Sequence, residues 1–428
     1  MSFELLGLCS ALLKSVAEQG YTKPTPIQLE AIPAVLSQRD VMAVAQTGTG
    51  KTAGFTLPMV QLLSGAASPK ASSVRALVIT PTRELATQVL MNVQNYSRHM
   101  NIQSAAVMGG VRIEPQITQL QAGVDILVAT PGRLIDLYKQ QAIRFDQLEI
   151  LVLDEADRML DLGFIDEMSY LQSVLPSKRQ TLMFSATFSK QIKSLASGML
   201  NNPLLIEVAA ANSTVDSVKQ RLHPVDKARK SELLIHLIKR NNWPQVLVFS
   251  RTKLGADSLA SQLETAGISA ASIHANRTQH ARTLALEGFR DGSVAVLVAT
   301  DIASRGIDVS QLSCVINVDL PYVAEDYVHR IGRTGRAGSF GLAVSLFSED
   351  ETKQLRAIER LTGLKFKHDI VPGFAPKPKP KQAVNISDDD DEYGNFEPDP
   401  EPQGRAKGRG SRQPKVANRS GKKRPRNK

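Results

Sequence analysis

A chain of 428 residues exceeds one ordinary domain, and a hydrophobic content of 42% gives it material for two or three packed units. The formal charge of +10 is uneven: residues 404–428 hold 11 Lys and Arg and no acid, which leaves −1 on everything before them. The basic character is therefore a handle at one end and not a property of the whole fold. Cys9 and Cys314 stand far apart with no partner at metal-ligand spacing, which excludes a disulfide framework or a zinc site. No apolar run is long enough to cross a bilayer, and the expectation is a cytoplasmic protein with no membrane partner.

In chain order, Phe3 to Gly20 reads as an amphipathic helix closed by glycine. Pro24 and Pro26 make an extended turn that fixes where Gln28 opens the next helix. A side-chain amide offers a donor and an acceptor side by side, matching one edge of adenine, although a polar residue at a helix start has the same appearance.

Val41–Val44 then reads as a short buried strand, followed by Ala45-Gln46-Thr47-Gly48-Thr49-Gly50-Lys51-Thr52 and a helix. This is the phosphate-cradling order of nucleotide hydrolases, with Ala45 where the general pattern has glycine. Gly48 and Gly50 permit backbone angles that let successive N–H groups of Thr47 to Gly50 converge on one anion. Lys51 supplies charge for the terminal phosphates of a nucleotide, and Thr52 offers a hydroxyl to Mg²⁺.

Apolar strands and helix-opening turns alternate from there: Leu77–Ile79 before Thr80-Pro81-Thr82-Arg83-Glu84-Leu85-Ala86, Asp125–Val128 before Thr130-Pro131-Gly132-Arg133, Ile150–Leu153 before Asp154-Glu155-Ala156-Asp157, and Thr181–Phe184 before Ser185-Ala186-Thr187. Such a rhythm describes a parallel sheet covered on both faces, with ligands at the carboxyl ends of its strands. Asp154, directly after a strand, suits Mg²⁺ held largely through water, and Glu155 suits activation of the attacking water. A helix cap is the plain alternative for Asp154.

The rhythm fades over 209–226, taken as a linker between a first domain at 1–208 and a second at 227–371. It restarts with Val246–Phe249 before Ser250-Arg251-Thr252 and Val294–Val298 before Ala299-Thr300-Asp301, a weak repetition of the first half without a second phosphate loop. One nucleotide between two sheets is the economical reading. It gives a task to His329-Arg330-Ile331-Gly332-Arg333-Thr334-Gly335-Arg336: Arg333 and Arg336, three apart, can act as arginine fingers on charge that develops in the transition state. Residues 372–428 shift to Pro-Lys repeats, an acidic block at 388–401 and the basic end, a composition expected to be disordered and to tether nucleic acid.

Together these motifs resemble the DEAD-box family of ATP-dependent RNA helicases over roughly residues 3 to 350, and the opening with AQTGTGKTAGF looks most like the bacterial RhlE-type subgroup. The resemblance implies two tandem RecA-like α/β domains with parallel sheets. Its opening Q-motif region would be residues 1–29. It implies that Phe3 and Gln28 recognise adenine, Asp308 touches ribose, and Asp157, Ser185, Thr187 and His329 couple hydrolysis to RNA binding. Pro81, Thr82, Arg83, Gly110, Thr130 and Arg133 would line an RNA track on the first domain. Arg251, Gln279, Arg282, Thr300 and Arg305 would do so on the second. Contacts of this kind read RNA form and not base sequence. The family often has His-Gly before the Gln279 element, where this chain has His274-Ala275. An ATP-gated RNA clamp or annealing chaperone, and a DNA-tracking translocase, are the competing readings. Ribosome assembly and RNA decay are settings that the resemblance suggests without selecting between them.

Overall fold

The computed structural model describes residues 2–45, 48–65, 68–208, 218–304, 312–335 and 341–377, with Ile302 and Ser304 described as backbone only. Two parallel sheets organise them. The first comprises β1 (Val41–Val44), β2 (Val74–Ile79), β3 (Ser104–Val107), β4 (Val124–Ala129), β5 (Ile150–Leu153), β6 (Gln180–Ser185) and β7 (Leu204–Glu207), in the order β3-β4-β2-β5-β6-β1-β7. The second comprises β8 (Val218–Pro224), β9 (Val246–Phe249), β10 (Ala270–Ile273), β11 (Val296–Ala299), β12 (Cys314–Asn317) and β13 (Gly341–Phe347), in the order β10-β11-β9-β12-β13-β8.

Strand after strand reads as an unbroken apolar run because both faces are covered. In β5, Ile150 and Val152 enter one cluster with Phe55, Leu57 and Phe184, while Leu151 and Leu153 enter the other with Leu134, Met159 and Met168. The second sheet repeats this, Val246 and Val248 on one side and Leu247 and Phe249 on the other. The period of two along each strand thus feeds two layers of helix at once.

Two expected boundaries move. Residues 218–224, inside the stretch read as linker, form edge strand β8, paired parallel to β13 from Val218↔Gly341 to Pro224↔Phe347. Its sequence, Val-Lys-Gln-Arg-Leu-His-Pro, is too polar to announce a strand, since an edge needs few apolar side chains. The second unit also runs past 371: Phe374, 7% exposed, belongs to its core. The tail at 378–428 lies outside the described residues. Among the described residues no helix is long and apolar enough to cross a membrane.

Candidate active site

The phosphate loop leaves β1 and ends in the helix Lys51–Leu63. Gly48 and Gly50 have φ of +82° and +93°, a region that a side chain disfavours. A Cβ on Gly50 would also overlap the Gln28 amide. Gln28, 5% exposed, accepts from the Thr25 N–H at 3.0 Å and donates to the Gly50 carbonyl at 3.1 Å. It locks the proline-rich turn to the phosphate loop and keeps one further donor and acceptor direction for a ligand. Phe3 is 5% exposed and packs in the first sheet's core, so its ring acts here as a packing group. Lys51, 6% exposed, starts the helix and donates to the Ala45 carbonyl at 2.6 Å across the loop, Thr49 sits within the loop and Thr52 follows half-buried in the first turn of the helix. Thr47 lies outside the described residues.

Asp154 follows β5 and is 3% exposed. Burial pushes its carboxyl up to about 7, neighbouring Glu155 adds to the rise, and Lys51 opposes it. A carboxylate so desolvated would be matched by a bound cation. Glu155 sits in the left-handed region at φ +52° and ψ +54°, unusual for a side-chain-bearing residue, with its own N–H turned onto Asp154 Oδ1 at 3.0 Å. Its Oε2 is buried without a hydrogen-bond partner among the described residues. Asp157 accepts from the Ala186 N–H at 3.1 Å, which ties the acidic turn to the Ser-Ala-Thr turn, and Ser185 Oγ donates to the Thr187 carbonyl at 2.8 Å within the latter. Among the described residues no three His, Cys, Asp or Glu side chains cluster as a direct metal cage.

The second lobe closes this site. A crevice is lined by Glu155, Asp157, Arg158, Asp161 and Ala186 from one side and by His329 and Arg333 from the other. Arg333 is 7% exposed, just past the helix Ala324–Ile331. Arg336 and Asp308 lie outside the described residues.

At a second contact the lobes meet through residues expected along the polynucleotide track. Arg83 donates to Gln279 Oε1 at 3.3 Å, Gln279 donates to Glu84 Oε1 at 3.2 Å, and Arg282 pairs with Glu84 at 2.9 Å. The Arg83 guanidinium lies where a side chain on Gly110 would project, and Gly110 has φ +76°. Thr82 caps the following helix through the Leu85 N–H at 3.3 Å beside buried Pro81. Arg133 donates to the Val111 carbonyl at 3.0 Å, and Thr130 Oγ1 accepts from the Gly109 N–H at 3.4 Å. The loop at Gly110 is thus fastened to the start of the helix Pro131–Lys139 and lies against Arg83. Thr300 is buried after β11.

Arg251 is used differently. Its guanidinium bonds Glu351 Oε1 at 2.7 Å and the Leu320 carbonyl at 2.9 Å and lies 4.5 Å from the Tyr322 ring, so it serves the second lobe's own packing here. Arg305 lies outside the described residues. At the departure His274-Ala275, His274 is held by Asp257 at 2.9 Å.

Comparisons with known proteins agree with this layout. Residues 25–195 match the DEAD/DEAH box helicase family, and residues 229–338 match the helicase conserved C-terminal domain. The ATP-dependent RNA helicase RhlB of Pseudomonas syringae is 40% identical over 86% of this chain and 95% of its own length. The chain belongs to the DEAD-box ATP-dependent RNA helicases. The DEAD-box ATP-dependent RNA helicase CshA of Bacillus subtilis is 40% identical over 85% of this chain and 73% of its own. The structure of S. cerevisiae Dbp5 bound to RNA and ADP BeF3 superposes with a TM-score of 0.77 at 32% identity, covering 86% of this chain and 95% of that one.

Two elements of this DEAD-box helicase escaped sequence reasoning. Glu84 was read only as part of a turn, yet it holds both Gln279 and Arg282. Arg330, 2% exposed, is the buried arginine of the same motif, although spacing alone draws attention to Arg333 and Arg336. It pairs with Asp301 at 2.5 and 2.7 Å, donates to Asn317 at 3.0 Å and lies 4.9 Å from the Phe249 ring. The inward spacing of Tyr327, Arg330 and Ile331 was a legible signal for its burial.

Proposed function

We propose that this helicase couples ATP hydrolysis to local, sequence-independent remodelling of RNA through closure of its two lobes. The observation that carries this is the crevice in which Glu155 and Asp157 face His329 and Arg333. In it, Glu155 takes the proton of the attacking water, Lys51 and the loop N–H groups hold the phosphates, and Arg333 with Arg336 neutralises charge that grows on the γ-phosphoryl group. Water adds to phosphorus as the bond to ADP breaks, giving ADP and inorganic phosphate. Thr52 and Asp154 would hold Mg²⁺, the latter largely through water, and the ion supplies charge neutralisation for the phosphate oxygens. Arg83, Gly110, Thr130 and Arg133 on one lobe and Gln279, Arg282 and Thr300 on the other carry the RNA, contacting phosphates and 2′-hydroxyls. The helix Pro131–Lys139 bends one strand so that its partner leaves.

Glu155→Gln tests the assignment. ATP binding should stay within about threefold of wild type while RNA-stimulated hydrolysis falls by about 10²-fold or more. Normal turnover removes Glu155 from the role. Strand displacement compared between ATP and a non-hydrolysable analogue separates turnover-dependent remodelling from an ATP-gated clamp, and stimulation by RNA against DNA separates a helicase from a DNA translocase.

Within the family we place the chain near the bacterial RhlE-type branch, on its opening and its AQTGTGKTAGF stretch. Its basic end adds salt-sensitive binding to RNA in ribosome-assembly or RNA-decay particles of the cytoplasm. The unpaired Cys9 and Cys314 suit that reducing compartment.

A further inference from the structure

We propose that Phe366, on a strap at residues 363–377 beyond the matched helicase region, is a positioning residue for ATP hydrolysis. It braces the back of the helix Ala324–Ile331, whose front carries His329 and leads to Arg333. The inference rests on the reading of Arg333 as an arginine finger.

The helix has eight residues, about two turns, too few to hold a fixed orientation by its own hydrogen bonds. Its aim at the crevice is set by what it packs against. Tyr327, Arg330 and Ile331 point inward at helical spacing, and Tyr327 and Ile331 join a cluster with Leu222, Leu355 and Ile358. Tyr327 is 1% exposed and donates from its hydroxyl to Gln220 on β8 at 2.8 Å. Phe366 covers its ring edge-on, with centroids 5.9 Å apart and planes at 83°. That geometry is the favoured one for an aromatic pair.

Phe366 is itself anchored on both sides. The helix Thr352–Thr362 ends at Gly363 with φ +69°, and the chain doubles back. The Phe366 N–H then donates to Glu359 at 3.2 Å. Three residues on, the Asp369 N–H donates to the Leu222 carbonyl at 2.9 Å, and His223 Nδ1 donates to the Asp369 carbonyl at 2.5 Å. The strap thereby pairs onto β8, the open edge of the second sheet. An aromatic pinned at two points bears on the helix whose far side carries His329 to the crevice with Glu155 and Asp157. The strap's other end is mechanically separate: Phe374 sits between Arg229 at 4.5 Å and His236 at 5.3 Å, in a different cluster.

The test uses the full chain and RNA-stimulated ATPase kinetics. Phe366→Ala should lower kcat by about fivefold to tenfold and leave KM for ATP within about twofold, because ground-state phosphate contacts are untouched while the finger is misplaced. Phe366→Tyr, which keeps the ring, should restore kcat to within about twofold. Phe374→Ala should lower the unfolding midpoint and leave kcat unchanged. Wild-type kcat in Phe366→Ala overturns the proposal, as does a loss in Phe374→Ala equal to that in Phe366→Ala, which would mean general loosening of the lobe. Arg333→Ala separates the two layers: if it retains wild-type kcat, the finger reading fails and the brace with it. If it loses activity while Phe366→Ala does not, the brace alone fails.

Discussion

Glu84 in the first lobe and Arg282 in the second meet at 2.9 Å, and both are about nine-tenths buried. Burial lowers the proton affinity of the guanidinium, Arg83 lowers it further and Glu84 offsets only part of the loss, so the two charges of this interlobe pair depend on each other. Glu84→Gln keeps the shape and leaves Arg282 without a counter-charge. The closed arrangement should lose about 2–3 kcal/mol. The RNA concentration for half-maximal ATPase stimulation should rise about tenfold or more, and an unchanged value would remove the pair from the closing step.

Gly50→Ala meets two obstacles, a φ of +93° and the Gln28 amide in the space its Cβ would take. The loop has to shift away from Gln28, which disturbs the N–H groups that converge on phosphate. Affinity for a fluorescent ATP analogue should drop about tenfold or more while the chain stays folded. Retained affinity would show that the loop adjusts without cost.

Asp154 gives a pH signature to the protein free of nucleotide and divalent ions. Its folded pKa of about 7 lies above the usual carboxylate value. Between about pH 4 and 7 the folded state therefore binds the proton more tightly than the unfolded state, and stability falls as pH rises through that window. Asp154→Asn has no such proton to lose. Its melting temperature relative to wild type should climb from pH 5 to pH 7 and then level off. Parallel curves across the range would show that Asp154 keeps an ordinary pKa.

Arg330→Lys keeps the charge but loses the two-pronged pairing with Asp301 and the stacking on Phe249. Urea unfolding should show a loss of about 2–4 kcal/mol. A loss below about 0.5 kcal/mol would mean that lysine satisfies the same buried partners.

Much of the fold was legible because it is written in local periods. Val41–Val44, Ile150–Leu153 and Val246–Phe249 are buried strands as expected, each ending where a polar turn begins. β3, β7, β8, β10, β12 and β13 were not anticipated: β3, β7, β10 and β12 have four residues each and carry too little pattern, β8 is a polar edge, and Ser345 interrupts the apolar run of β13.

The residues proposed for the nucleotide site, Gln28, Lys51, Asp154, Glu155 and Arg333, can be nominated from sequence, because glycine angles, strand ends and helix starts place chemistry within a few positions of its signal. Only the tertiary structure decided that Glu84 faces Gln279 across 195 residues, that Arg251 turns to Glu351, and that the strap backs Tyr327. The physical reason is that a buried charge or ring takes whichever partner the packing delivers, and packing is set by three-dimensional shape and not by spacing along the chain.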